Sequence, residues 1–476
     1  MAQKQFRFNE KCSAAYLQII SLKLQPAAKI VAAEKIADPN NLVPYFLENY
    51  IDFFTLFFNE DKKLYDVAKP MLDKRLSLMK EGPEQSPLTL FTQAIIHLQW
   101  AAIETKFNNK WNAGWHFKDA FKLAKYNSEK FPGFTPNKMI TGPMQMVAAT
   151  IPKSMRWLSS IMGINGTMQQ GKTNLDYFLN ANDAWAKLYR NEGIFYHCYL
   201  QYYLLNQPDD ALAFIAQHNL DVVNNHMFAY MAANLNLNSK KSWITQQIVN
   251  GRNTSPEYLK TPIWDFEMAY AKLYHLEPDA PVYFQRFLQN FKGDFYVKDA
   301  WLKLGYHYLV QGQTAQYKSC MQKVISEGNT ASDADKRALK EAKLGIVPNL
   351  LLLKARLLSD GGFSNDALQL MQGTSSAQFT DMAEKLEYSY RLGRIYDELG
   401  QDDRAIKSYE ITIAAGAERT EYFAARAALQ CGMIFEKKGD KKTAAKYYAR
   451  CIAMQDHDYE ESIEQKAKAG QERCKQ

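Results

Sequence analysis

Cysteine is scarce. Six are scattered over 476 residues, at Cys12, Cys198, Cys320, Cys431, Cys451 and Cys474, and no two form a C-x-x-C pair. That spacing argues against a structural zinc site and against a disulfide framework, leaving ordinary half-buried thiols. The eight histidines, at 97, 116, 197, 218, 226, 275, 307 and 457, never fall into H-E-x-x-H or H-x-x-x-H. No G-x-S-x-G elbow occurs either, so no metalloprotease or hydrolase pattern is present. We therefore expect no catalytic residues, no metal and no cofactor. His197 beside Cys198 is a poor nucleophile–base pair, because adjacent residues on a helix point apart. Long apolar runs are missing too. Nothing approaches the roughly 18 residues of a membrane span, and the first twenty residues lack the apolar centre of a signal peptide. As written the chain reads as soluble and cytoplasmic. An exported protein without its leader would begin the same way. Period-two alternation bounded by turn residues is absent, which speaks against a sheet. Charge of one sign is also lacking: 58 basic residues stand against 51 acidic ones, for a net +7, too mild to point to a partner.

What is present is apolar and aromatic. Hydrophobic residues make up 47% of the chain and aromatics 13%, with 28 Tyr and 26 Phe. A chain this long and apolar can bury a large core, and its length suits stacked helical hairpins. The C-terminal third repeats. Trp301, Leu304, Gly305 and Tyr308 fit W-x-x-L-G-x-x-Y, with Gly312 at the following turn. A second copy holds Leu392, Gly393, Tyr396, Gly400, Ala405 and Tyr409. A third holds Gly432, Phe435, Gly439, Ala444 and Tyr448. The steps 393 to 432, 400 to 439, 405 to 444 and 409 to 448 are all 39 residues. A weaker copy precedes them at Ala355, Leu358, Gly362, Ala367 and Met371. Small residues in both helices of a pair let them approach closely, large ones fill the seam to the next pair, and the turn glycine ends the first helix.

Upstream the chain is less regular but equally helical. Phe46, Tyr50, Phe53, Phe54, Phe57 and Phe58 follow one helix face, as do Ala113, Phe117, Ala120, Phe121 and Ala124. Ala27, Ala28, Ala32 and Ala33 suit a close-packed second helix ended by Pro39. Residues 131–152 are rich in Pro and Gly yet apolar, and read as an interruption within one superhelix. The polar stretch from Asn329 to Lys343 reads as an extra exposed helix. The expected organisation is one continuous solenoid in three parts: divergent helical pairs over 1–130, a middle helical region over 131–290 with a Pro/Gly-rich opening, and repeats over 291–476.

On these residues the chain resembles the tetratricopeptide-repeat superfamily over 298–455. Ile151 to Leu158, then Met162-Gly163-Ile164-Asn165-Gly166 and Gly171, together with Asp265 to Ala269 and Tyr283-Phe284, are similar to the tetratricopeptide repeat protein 39 and inclusion-body-clearance family. The resemblance implies an all-α fold, a right-handed superhelix of antiparallel helix pairs without sheet and without catalytic activity.

The expected function is a non-enzymatic scaffold binding a protein or peptide in the superhelical groove. Alignment of the repeats places Tyr306, Tyr390, Arg394, Asp397, Met433 and Glu436 there. Tyr390 and Arg394 stand where repeats that clamp a chaperone's C-terminal carboxylate carry Asn and Lys, so that partner is disfavoured. Two alternatives remain. Gly166 to Thr173 satisfies G-x-x-x-x-G-K-T, in which backbone N–H groups with Gly166, Gly171, Lys172 and Thr173 could hold a nucleotide's phosphates and magnesium. The residues before it, Ser154 to Met162, read as a helix and not the required strand, which favours a plain turn. Lys118, Lys122 and Lys125 share a face, with Lys106, Lys110 and Lys130 nearby and Trp111, Trp115, Phe117, Phe121 and Tyr126 interleaved. A nucleic-acid groove is conceivable on that pattern. The favoured reading turns the aromatics inward and the lysines to water, so nucleic acid is not the expected partner.

Overall fold

The computed structural model describes residues 3–150 and 163–475. Among these the chain is all-α, as its periodicity predicts. One isolated bridge, between Gln5 and Asn41, is the single extended pairing among them. The helix expected over Ser154–Met162 lies outside the described residues. The chain divides into two compact units. The first comprises Met1–Ala271, Asp279–Leu304 and Ser319–Leu344; the second comprises Lys272–Pro278, Gly305–Lys318 and Gly345–Gln476.

The first unit is built on an aromatic core. The Val43–Asn59 helix starts with Pro44 in its first turn and buries Phe46, Leu47, Tyr50, Phe54 and Phe58. The Pro87–Lys106 helix is capped by the Ser86 side chain and buries Phe91 and Trp100. At the centre of this core sits Glu192, a buried carboxylate. It accepts hydrogen bonds from Tyr16 (2.7 Å), Tyr50 (2.9 Å) and Tyr196 (2.6 Å). Burial pushes its pKa up, and the three hydroxyls pull the other way. Such full satisfaction is what keeps a buried charge affordable. Of the four alanines expected to pack, Ala27 is buried, whereas Ala28, Ala32 and Ala33 are exposed. The Leu24–Ala37 helix rests on its neighbours through Leu24, Ala27 and Val31.

Part of the Pro/Gly-rich stretch is itself helical. Pro136–Ala149 is a helix with Pro143 inside it, and it crosses the Met168–Asn180 helix at two glycines. A side chain at Gly142 would begin 2.8 Å from the Gly171 carbonyl oxygen, and one at Gly171 2.5 Å from the Gly142 oxygen. The polar stretch near 329–343 does form a helix, Asp333–Leu344, but one face of it is buried. Asp335 accepts from the backbone N–H groups of Tyr296 (2.8 Å) and Asp299 (3.1 Å), so this helix ties down the start of the Val297–Val310 helix.

The second unit holds the repeats from Leu350 onward. Leu350–Gly361 pairs with Ser364–Met371, Met382–Glu398 with Asp402–Gly416, and Phe423–Lys437 with Lys441–Ala453; Glu460–Lys475 follows. The turn glycines Gly400 and Gly439 take φ of +69° and +82°, a region that strains other residues. Ala405 and Ala444 are fully buried. Gly393 and Gly432 admit the rings of Tyr409 and Tyr448, to which a Cβ would approach within 2.5 Å in both repeats. The Glu460–Lys475 helix buries Ile463, Ala467 and Gly470 on one side.

Candidate partner-binding face of the C-terminal repeats

The two best-formed repeats present equivalent first-helix stripes. On Met382–Glu398 the stripe is Glu387, Arg391, Arg394 and Glu398. On Phe423–Lys437 it is Arg426, Gln430, Met433 and Lys437. Each follows i, i+4, i+7, i+11, one side of a helix. The charges of the first stripe are internally paired. Arg391 meets Glu387 at 2.8 Å, and Arg394 meets Glu398 at 3.0 Å and Asp397 at 3.6 Å. Glu398 also accepts from Ser359 (3.0 Å) and Ser364 (2.7 Å) of the preceding helix pair. This network fixes guanidinium groups at defined positions on the array.

The six residues expected in the groove are not equally exposed. Met433 is 44% exposed. Arg394 is half-buried in the network just described. Tyr306 and Tyr390 are buried, because the repeat uses large aromatics to fill the seam between hairpins. Tyr390 packs its ring 5.5 Å from that of Phe423. The guanidinium of Arg356 lies 5.8 Å from the Tyr306 ring, and that of Arg391 5.4 Å from the Tyr390 ring. Asp397 accepts from the Tyr409 hydroxyl at 3.1 Å; burial raises its pKa against the pull of Arg394. Glu436 accepts from Tyr448 and pairs with Arg473 of the last helix, and the Arg473 bond holds its carboxyl below the ordinary range. Arg356, Arg391 and Gln430 belong to the same face. The 39-residue step from 391 to 430, read alongside 394 to 433, would have found the last two.

The segment Gly166–Thr173 runs straight into a helix. Thr167 caps the Met168–Asn180 helix in a capping box with Gln170. Gly171, Lys172 and Thr173 therefore lie inside a helix, where the N–H groups serve the helix itself. Gly166 abuts Gln145: a side chain there would begin 2.6 Å from its Cα. Gly171 serves the helix crossing, and Lys172 pairs with Asp176 one turn on.

The basic helix, Lys110–Lys130, differs from the expected arrangement. Phe121 is buried with Ala120, Ala124 and Asn127, but Trp111, Trp115 and Tyr126 are exposed. The helix buries its alanine-rich side, and those three aromatics lie opposite it. Lys106 is not part of that face. It pairs at 3.0 Å with Glu60, a buried carboxylate, and lies 4.3 Å from the Phe295 ring. His197 packs on Phe214 and Cys198 is buried separately, its thiol pushed up to about 12 by burial. No helix among the described residues is long and apolar enough to cross a membrane.

Comparison with known proteins agrees with the repeat geometry. Tetratricopeptide-repeat family models match residues 389–421 and 425–464. No curated protein matches the sequence. Among solved structures, the crystal structure titled APC/C hetero-tetramer Cut9-Hcn1 aligns with 98% of this chain and 100% of that chain. The identity is 14% and the TM-score 0.29, an overlap too loose to bear on partners. The C-terminal unit of this all-α chain thus carries consecutive tetratricopeptide repeats.

Proposed function

We propose that the chain is a non-enzymatic scaffold that binds a protein or peptide along the first-helix face of its C-terminal repeats. The observation that supports this most is the pair of equivalent stripes, in which Arg394 of one repeat corresponds to Met433 of the next. Arginine held by neighbours and an exposed methionine are side chains that interfaces favour. Tyr306 and Tyr390 lie beneath as platforms for Arg356 and Arg391, Asp397 pairs with Arg394, and Glu436 is held by Tyr448 and Arg473. We read 1–130, 131–290 and 291–476 as its three stretches. The narrower likeness to the tetratricopeptide repeat protein 39 and inclusion-body-clearance family belongs here too. Its support is the helix pair Ile263–Tyr274 and Ala280–Asn290, which carries Asp265–Ala269 and Tyr283-Phe284.

Affinity capture with quantitative mass spectrometry tests the reading. The wild-type chain is compared with an Arg394→Glu/Met433→Glu variant of matched melting temperature. Proteins retained by the wild type are expected to fall roughly tenfold or more with the variant. An identical recovered set, or recovery of nothing above background by folded protein, refutes it.

A further inference from the structure

The Lys110–Lys130 helix turns an aromatic and basic stripe outward. At 100° per residue, Trp111, Trp115, Lys118, Lys122, Lys125 and Tyr126 share an arc of roughly 100° and extend over roughly 22 Å. Trp111 is 82% exposed, Trp115 53% and Tyr126 56%. Bare tryptophans one turn apart are uncommon on a protein surface and mark something the surface meets. The surface beside the stripe is open as well: nothing lies within 4 Å of where a side chain at Gly114 would begin. Lys118 Nζ sits 4.2 Å from the Trp115 ring centroid, which holds a cation at the level of the indole. The helix carries Lys110, Lys118, Lys122, Lys125 and Lys130 against Asp119 and Glu129. Lys138 of the next helix lines an open cavity of about 230 Å³ with Lys125 and Glu129.

We propose that this stripe docks the protein on an anionic phospholipid bilayer, with the helix lying in the interfacial plane. Three properties favour that occupant. Tryptophan and tyrosine are the aromatics that settle at the headgroup level, and lysine stems keep their ammonium groups among the phosphates. The cations complement a negatively charged surface. The stripe is a ridge: Trp111, Trp115 and Tyr126 stand exposed on the side of the helix opposite Ala120, Ala124 and Asn127. A ridge fits a plane, whereas a single nucleic-acid strand is held in a groove whose cations track its backbone. No spanning segment is required, because an amphipathic helix binds from one side. The proposal goes beyond the scaffold reading and does not depend on it.

Vesicle flotation of the full chain decides the matter. Vesicles of phosphatidylcholine alone are compared with vesicles containing roughly one-third phosphatidylglycerol. Binding is expected for the anionic vesicles only, and it should weaken with salt. Trp111→Ser/Trp115→Ser and Lys118→Glu/Lys122→Glu should each lower the bound fraction roughly tenfold or more. Both pairs are surface changes, and an unchanged helical melting curve verifies the fold. Absence of binding to anionic vesicles overturns the proposal. So does full binding by the tryptophan variant, or preference for a single-stranded oligonucleotide that these vesicles do not displace.

Discussion

Adding one methyl group at Gly432 should destabilise the second unit, although the same change in a helix ordinarily stabilises it. The new Cβ would begin 2.5 Å from Tyr448 Cε1 and 2.6 Å from Cδ1. The ring has nowhere to go. On its other side a Cβ at Gly470 would lie 2.4 Å from Tyr448 Cζ, so two glycine backbones clamp it. Its hydroxyl is bonded to Glu436, which is itself held by Arg473. Two effects compete. Replacing glycine by alanine in a helix interior gains about 1 kcal/mol. Forcing extra volume into a packed seam costs about 1–3 kcal/mol, and two contacts far inside van der Waals range put Gly432 at the upper end. The net is a loss of about 1–2 kcal/mol for Gly432→Ala. Gly114→Ala is the control. It lies inside the Lys110–Lys130 helix with no atom within 4 Å of the new methyl, so it should gain about 1 kcal/mol. Urea midpoints at unchanged slope read both values. Tyr448→Leu should rescue part of the Gly432→Ala loss, giving a double variant less damaged than the sum of the two single changes. If Gly432→Ala stabilises the chain as Gly114→Ala does, the clamped seam is wrong.

Glu267 offers a test by pH. It is fully buried, and Asn234 donates to one carboxylate oxygen at 3.0 Å. Burial raises its pKa from 4.5 to about 7, so the folded chain keeps a proton that the unfolded chain releases. Its contribution is complete below pH 4.5 and is lost as pH rises towards 7, a fall of about 3 kcal/mol by alkaline pH. Glu267→Gln should remove that fall, so its urea midpoint should gain on the wild type between about pH 5 and about pH 8; parallel pH profiles would contradict this. At the helix crossing, Gly171→Ala should cost about 2 kcal/mol or more, since its Cβ would meet Met146 Cγ at 2.3 Å and the Gly142 carbonyl oxygen at 2.5 Å. Lys172→Ala should change stability by less than about 0.5 kcal/mol, and magnesium ATP should leave the melting temperature of the wild type unmoved. A nucleotide-induced rise abolished by Lys172→Ala would restore the phosphate-loop reading.

Features set by neighbouring residues were legible in the sequence; those set by distant ones were not. The turn glycines and the buried Ala405 and Ala444 follow from a local pattern repeated every 39 residues, and repetition exposes it; Tyr409 and Tyr448 pack on the glycine of their own pair, where the pattern predicts the seam to the next. Glu192 could not be found this way. Its tyrosines Tyr16 and Tyr50 lie 176 and 142 residues away, and no helical period links them. Lys106 shows the same limit: its charge suggested a basic surface, but Glu60, on a different helix pair, draws it inward. The outward tryptophans are a different case, because the signal was present. With Ala120, Phe121, Ala124 and Asn127 defining the buried side, a step of 100° per residue already carries Trp111 and Trp115 to the opposite one. Interleaving in sequence is not sharing a face. The Gly166–Thr173 match meets a related limit. Eight residues of spacing specify which side chains are present, but a phosphate loop works through backbone N–H groups that must be left free. At this site the Thr167 hydroxyl takes the Gln170 N–H and the Thr167 carbonyl takes the Gly171 N–H, and the glycine that would admit a phosphate admits a neighbouring helix instead.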